Sequence, residues 1–131
     1  MTDCSLIVVA HAPLASSLVS VANQILGDTG LLRAFDVDLD CDKDTMATRL
    51  HEELVHCDRG HGVLMLCDLK GATPGNIATQ ANAQYEESSL VFGVNLPMLL
   101  RAINYMHQHH TGVARAATEG ARNCITMADA Q

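Results

Sequence analysis

The chain predicts an α/β domain whose core is an open, mainly parallel, doubly wound sheet flanked by helices, and three observations carry that expectation. Apolar runs of strand length alternate repeatedly with segments of helical period along the 131 residues. Two of these runs, residues 6–10 and 63–67, are apolar at every position, as strands covered on both faces are. The breaks between units are short and built from glycine, proline and aspartate. No linker, repeat or change of composition divides them, so a single domain over residues 1–131 is expected.

The elements follow in order. Residues 5–10 form the first strand, and Leu14, Leu18, Val21, Ala22, Ile25 and Leu26 recur at helical spacing until Gly27 stops the pattern. Residues 31–39 read as a second strand. Asp42 or Asp44 then caps a helix with Met46, Leu50, Leu54 and Cys57 on one face. Residues 63–67 are the clearest buried strand, ending at Asp68 and a Gly-Ala-Thr-Pro-Gly turn, with a helix starting near Pro74. Residues 89–94 supply a fourth strand, Pro97 opens a further helix, and the alanine-rich tail over 113–128 is expected to be helical.

Composition narrows the function classes. Aromatic residues are 3% of the chain, which leaves little surface on which bases can stack. The formal charge of -7 and the lack of a basic run argue against a nucleic-acid partner and favour one with a basic docking face. Five cysteines without a C-x-x-C pair indicate neither a disulfide framework nor a zinc site, and reduced, mostly buried thiols are expected. Neither a signal segment nor an apolar stretch of spanning length is visible, so a cytoplasmic protein without membrane insertion is expected.

Chemistry is expected at the carboxyl ends of the first and third strands, where His11 and Asp68 stand. In a doubly wound sheet with these strands adjacent, the two side chains come within reach at the switch point. A carboxylate that takes the Nδ1 proton fixes the tautomer, leaves the Nε2 lone pair free and stabilises the cation formed as Nε2 attacks an electrophile. His11 is then the nucleophile and Asp68 its orienting partner. Gly71, Ala72 and Thr73 supply backbone amides and a hydroxyl ahead of a helix N-terminus, a setting suited to a phosphoryl group. Thr73 as N-cap, with Pro74 at the first helical position, explains the threonine equally well.

His11, the run Asp68-Leu69-Lys70-Gly71-Ala72-Thr73-Pro74-Gly75-Asn76 and the run Gly93-Val94-Asn95-Leu96-Pro97-Met98-Leu99 together resemble the IIA domain of mannose-type bacterial sugar phosphotransferase systems in order, spacing and length. The resemblance implies a phosphohistidine carrier. In that family the histidine matching His11 takes phosphate on Nε2 from the histidine-containing phosphocarrier protein and gives it to a IIB partner. The residue matching Asp68 holds the other ring nitrogen, and the one matching Thr73 lies beside the phosphoryl group. The resemblance also implies a homodimer whose last strand, an antiparallel edge strand, can be exchanged between subunits. No cofactor, metal or nucleotide is implied. Dihydroxyacetone-kinase phosphocarriers share the domain type, so the recipient stays open.

Four positions depart from the family pattern. Ala12 follows the histidine and Ala72 stands in the loop where glycines are common, Gly75 replaces a bulky, often aromatic residue, and Lys70 is polar at a position that elsewhere can be aromatic. An alanine forced to positive φ would be strained.

Other signals are weaker. Asp36, Asp38, Asp40, Asp42 and Asp44 alternate like a calcium loop, but every register lacks the glycine and the terminal acid, so a solvated strand end is the preferred reading. His107, His109 and His110 cluster at a helix end, with His107 and His110 able to share a face. With no third ligand identifiable, no metal is expected. The competing function is a phosphorylation-state sensor or non-catalytic binding domain in which His11 carries no phosphate. An aspartate-phosphorylated receiver is disfavoured because Ala10-His11 stands where an acidic pair would hold magnesium.

Overall fold

The computed structural model describes residues 3–129. In chain order they form β1 (Ser5–His11), α1 (Leu14–Leu26), β2 (Leu32–Val37), α2 (Lys43–Cys57), β3 (Val63–Cys67), α3 (Thr73–Ala83), β4 (Ser88–Phe92), α4 (Leu96–Asn104) and α5 (His110–Asn123). The strands make one sheet in the order β2-β1-β3-β4, and every pairing in it is parallel. This is the expected α/β architecture.

Alternation along the central strands sorts the core into two layers. Leu6, Val8, Ala10, Leu64 and Leu66 face α1, α4 and α5, whereas Ile7, Val9, Val63 and Met65 face α2 and α3. The crossover from β1 leaves through α1 toward β2 on one face, and that from β3 leaves through α3 toward β4 on the other. The carboxyl ends of β1 and β3 therefore flank the topological switch point.

Several boundaries differ from the sequence reading. His11 is the last residue of β1 rather than a loop residue, because its register partner Val37 extends the ladder and Ala12 N–H donates to Val37 C=O at 3.0 Å. The second strand is shorter than residues 31–39, ending at Val37 and leaving Leu39 85% exposed in the turn beyond. The tail helix starts at His110 and stops at Asn123, so its predicted bounds of 113–128 shift toward the N-terminus. Helix α1 buries Ala15 and Ala22, while Leu14, Val21, Ile25 and Leu26 remain exposed. Ala15 and Ala22 face the sheet with Leu18 and Val19 packed partly against the core beside them, and the remaining large apolar residues are turned away. Residues 124–129 form no strand, and no antiparallel edge strand is present among the described residues.

The five cysteines are all unpaired thiols; Cys4, Cys57 and Cys67 are buried, Cys41 is partly covered and Cys124 is exposed. Burial pushes the Cys4 thiol up to about 12 and those of Cys57 and Cys67 to about 11, so the buried three stay protonated and unreactive at neutral pH.

Candidate active site at the carboxyl ends of the strands

His11 is brought to the switch point by seven consecutive strand residues, six of them buried. Asp68 follows β3 directly, and its N–H donates to Val9 C=O at 3.3 Å, which carries the β1–β3 ladder one step past the strand. That extra rung sets the carboxylate beside the histidine. His11 Nδ1–H donates to Asp68 Oδ2 at 2.8 Å, and His11 backbone N–H donates to the same oxygen at 3.0 Å. A single carboxylate oxygen thus fixes both the ring and the main chain of His11.

The pair is graded in exposure, with the Asp68 side chain 12% and the His11 side chain 35% accessible. Burial opposes ionisation of Asp68. The hydrogen bonds from the His11 backbone and ring, together with the imidazole's charge, outweigh that penalty and hold the carboxyl below the usual aspartate range. The carboxylate is therefore charged at neutral pH. With Nδ1 engaged, Nε2 carries the lone pair, and it has no hydrogen-bond partner among the described residues.

The loop after Asp68 supplies the other side of the site. Gly71 adopts φ +87°, a left-handed turn that an L side chain would resist, and Ala72 at φ −99° and ψ 172° is the N-cap of α3. Thr73 is consequently the first helical residue, so of the two readings given for it the one as N-cap does not hold. Gly71 completes the turn one residue early, so that Ala72 C=O accepts the first helical hydrogen bond, from Asn76 N–H at 3.0 Å. Pro74 then falls at the second helical position, where its missing N–H is still not needed. A cap bond therefore does not account for Thr73. Its half-buried hydroxyl makes no hydrogen bond among the described residues and remains available at the helix N-terminus.

The family departures are accommodated. Among the described residues none other than glycine has positive φ, so neither Ala12 nor Ala72 is strained. Gly75 is required by packing: a Cβ there would lie 2.6 Å from the Leu69 carbonyl oxygen and 3.2 Å from Phe92 Cε1. The Phe92 ring, brought in from β4, thus lies against the backbone at this position. Lys70 is exposed, as a lysine at a loop tip ordinarily is.

The third motif has a structural role. Asn95 caps α4, its side-chain oxygen accepting from Met98 N–H at 2.8 Å, and Val94 N–H donates to Cys67 C=O at 3.0 Å. The aspartate series does not converge on an ion site. Asp36 accepts from the Ser16 backbone N–H at 3.1 Å and from the Ser16 hydroxyl, and Asp42 is the N-cap of α2, accepting from the Thr45 hydroxyl at 2.6 Å.

Sequence reasoning missed the rim. Leu14, Leu39 and Leu69, respectively 41%, 85% and 58% exposed, stand in or beside the segments that leave the carboxyl ends of β1, β2 and β3. Leu14 reads as part of the helical series of α1, Leu39 as a strand end and Leu69 as a loop residue, and only the fold assembles them on the face that bears His11. A groove of about 650 Å³ between β2 and α2 is lined by Asp38, Asp40, Arg49 and Glu52 and includes none of the predicted site residues. His11 instead lies on an open surface.

Together these features define a class: a doubly wound α/β domain presenting an aspartate-oriented histidine at its switch point. Residues 5–119 match the family model described as PTS system fructose IIA component, and the chain belongs to that family of phosphotransferase-system IIA components. A PTS system mannose-specific EIIAB component of Escherichia coli K12 is 26% identical over 99 residues, which are 76% of this chain and 31% of that relative's length. A PTS system fructose-specific EIIA component of Bacillus subtilis is 29% identical over 100 residues, covering 76% of this chain and 68% of that one.

Solved structures agree on the fold. A mannose/sorbose specific IIA subunit from Enterococcus faecalis superposes with a TM-score of 0.86 at 24% identity, covering 100% of this chain and 98% of the other. Phosphotransferase system component EIIA from Streptococcus agalactiae gives 0.83 at 21% identity, over 95% and 96% of the two chains. The mannose-type resemblance read from three motifs is thus matched by family and fold. Among the described residues no helix is long and apolar enough to cross a membrane.

Proposed function

We propose that the protein is a cytoplasmic phosphohistidine carrier of a phosphoenolpyruvate-dependent sugar phosphotransferase system. It accepts phosphate on Nε2 of His11 from the histidine-containing phosphocarrier protein and passes it to a IIB partner. The observation that carries this reading is the 2.8 Å bond from His11 Nδ1 to a largely buried, ionised Asp68, which leaves Nε2 as the nucleophile on an open face.

In the forward step the Nε2 lone pair attacks phosphorus in line. The donor's nitrogen–phosphorus bond breaks, its electron pair returns to the donor imidazole, and a new bond joins Nε2 to phosphorus. Positive charge that develops on the His11 ring is met by Asp68 through Nδ1–H. The transferred group's negative charge is met by the Thr73 hydroxyl and the unpaired amides of the first turn of α3, with Gly71 and Ala72 shaping their approach. Neither cofactor nor metal takes part. In the second step the IIB nucleophile repeats the displacement on the phosphorylated His11.

An open site suits transfer between proteins, because the donor histidine must itself reach phosphorus. Leu14, Leu39 and Leu69 supply apolar contact around it, and the net charge of -7 favours a donor with a basic docking face. The family resemblance supports a homodimer as the working assembly.

The test is phosphorylation by a reconstituted donor chain of enzyme I, the histidine phosphocarrier and phosphoenolpyruvate. One acid-labile, base-stable phosphate in the wild-type protein and none in His11→Ala is the expected result. An active donor chain that labels neither protein would instead favour a non-catalytic binding domain.

A further inference from the structure

At the opposite end of the sheet, where β3 and β4 begin, three potential metal ligands from two parts of the chain converge. Glu87 lies in the turn before β4, His109 is the N-cap of α5 and His110 is its first residue. Nε2 of His109 is 3.3 Å and Nε2 of His110 is 3.5 Å from Oε2 of Glu87, and the three ligand atoms all lie within 4.8 Å of one another. His107, which the sequence reading grouped with them, instead stacks on Tyr105 with ring centroids 6.2 Å apart. The expected sharing of a face by His107 and His110 fails because the chain leaves helical geometry between α4 and α5.

The imidazoles are oriented from behind. His110 Nδ1 is 2.6 Å from the Ser89 hydroxyl and His109 Nδ1 is 3.2 Å from the Thr111 hydroxyl. In the tautomer in which each Nδ1–H donates to its hydroxyl, both Nε2 lone pairs point to the common site, as the outer partners of metal-bound histidines arrange. The His110 ring has little freedom: it is 4% exposed and packs over Gly62, where a Cβ would fall 2.4 Å from its Cδ2. Its backbone N–H donates to His61 C=O at 2.9 Å.

We infer that Glu87, His109 and His110 form a binding site for a divalent transition-metal ion of the Zn²⁺ class, with a fourth position open to solvent. Tetrahedral zinc with bonds of about 2.0–2.1 Å places neighbouring ligand atoms about 3.3–3.4 Å apart, whereas octahedral coordination at that bond length places them about 2.8–3.0 Å apart. The two histidine–glutamate edges, 3.3 and 3.5 Å, lie near the tetrahedral value, and the edge between the two imidazoles lies within 4.8 Å. Two imidazoles and one carboxylate are also the donor set that borderline ions prefer over the all-oxygen shells of magnesium and calcium.

Glu87 and His109 are 56% and 49% exposed at the side chain, so they close the remaining edge by torsion about exposed side chains, and the ion enters from solvent. On loading, an imidazolium gives up its Nε2 proton to solvent, whereas a neutral ring already protonated at Nδ1 coordinates through its free Nε2 lone pair with no proton released; no electron is transferred. The bound ion ties the start of α5 to the start of β4, at the end of the sheet remote from His11.

The test is calorimetric titration of the metal-free full chain with Zn²⁺, repeated with Co²⁺ to read the visible bands of four-coordinate cobalt. One equivalent is expected to bind, with intense cobalt bands, and affinity is expected to fall roughly tenfold or more in both Glu87→Gln and His109→Ala. Both side chains are exposed, so circular dichroism is expected to show these variants folded. His107→Ala and Cys124→Ser are expected to bind as the wild type does. Lack of stoichiometric binding, retention of wild-type affinity in Glu87→Gln and His109→Ala, or loss on replacing Cys124 or His11 would overturn the assignment.

Discussion

Replacing Asp68 by asparagine tests how much of the transfer rate depends on the charged partner of His11. The substitution keeps the side-chain shape while removing the charge from an oxygen that accepts two hydrogen bonds, from Nδ1 at 2.8 Å and from the His11 N–H at 3.0 Å. The backbone bond can persist to the amide oxygen. The loss falls on the charge-assisted bond to the ring, about 1.5–3 kcal/mol, which corresponds to roughly 10- to 150-fold in rate. Because the His11 side chain is 35% exposed, solvent screens the developing charge and favours the lower half of that range, about 30-fold. The assay is rapid-quench transfer from the phosphorylated histidine phosphocarrier at saturating donor, with circular dichroism to establish that the variant is folded. A folded Asp68→Asn protein transferring within about twofold of wild type would refute the orienting and charge-stabilising role.

Three further outcomes follow from the same geometry. Thr73→Val removes a hydroxyl that makes no cap bond, so stability is expected to stay within about 0.5 kcal/mol while transfer slows roughly fivefold, measured by urea unfolding and the same quench assay. Gly75→Ala sets a Cβ 2.6 Å from the Leu69 carbonyl oxygen, so unfolding experiments are expected to show a loss of about 1–3 kcal/mol, with slower transfer as the 68–73 loop shifts. Asp68 ionises below its ordinary value of 3.8 in the folded chain, so its stabilisation is fully present above that value and is lost as pH falls through the lowered one. Urea midpoints for wild type and Asp68→Asn are expected to differ by a constant amount from neutrality to about pH 5 and to converge in more acid solution.

What the sequence revealed and what it concealed divide along physical lines. Residues 63–67 and 6–10 were legible as strands because burial on both faces leaves no polar position, and Asp68 was legible as the partner of His11 because a doubly wound order sets those strand ends together. The face of α1 was only partly legible: Leu18 and Ala22 of the periodic series pack on the core, but Leu14, Val21, Ile25 and Leu26 stay exposed because the helix approaches the sheet through Ala15 and Ala22. The capping alternative for Thr73 could not be decided from sequence because a single left-handed residue, Gly71, determines where the turn finishes, and composition does not reveal φ. The Glu87–His109–His110 cluster was only half visible. The histidines adjoin in sequence, but their carboxylate partner comes from a turn 22 residues away from His109 and carries no motif.

The most direct test of the account is the position of the phosphate on the ring. Long-range proton–nitrogen correlation spectra of the phosphorylated, nitrogen-15-labelled protein distinguish the two imidazole nitrogens. Because Asp68 occupies Nδ1 at 2.8 Å, the account predicts a single phosphohistidine at His11 with phosphorus on Nε2 and a protonated Nδ1 still donating to the carboxylate. Phosphate on Nδ1 of His11, or on another histidine, would contradict it.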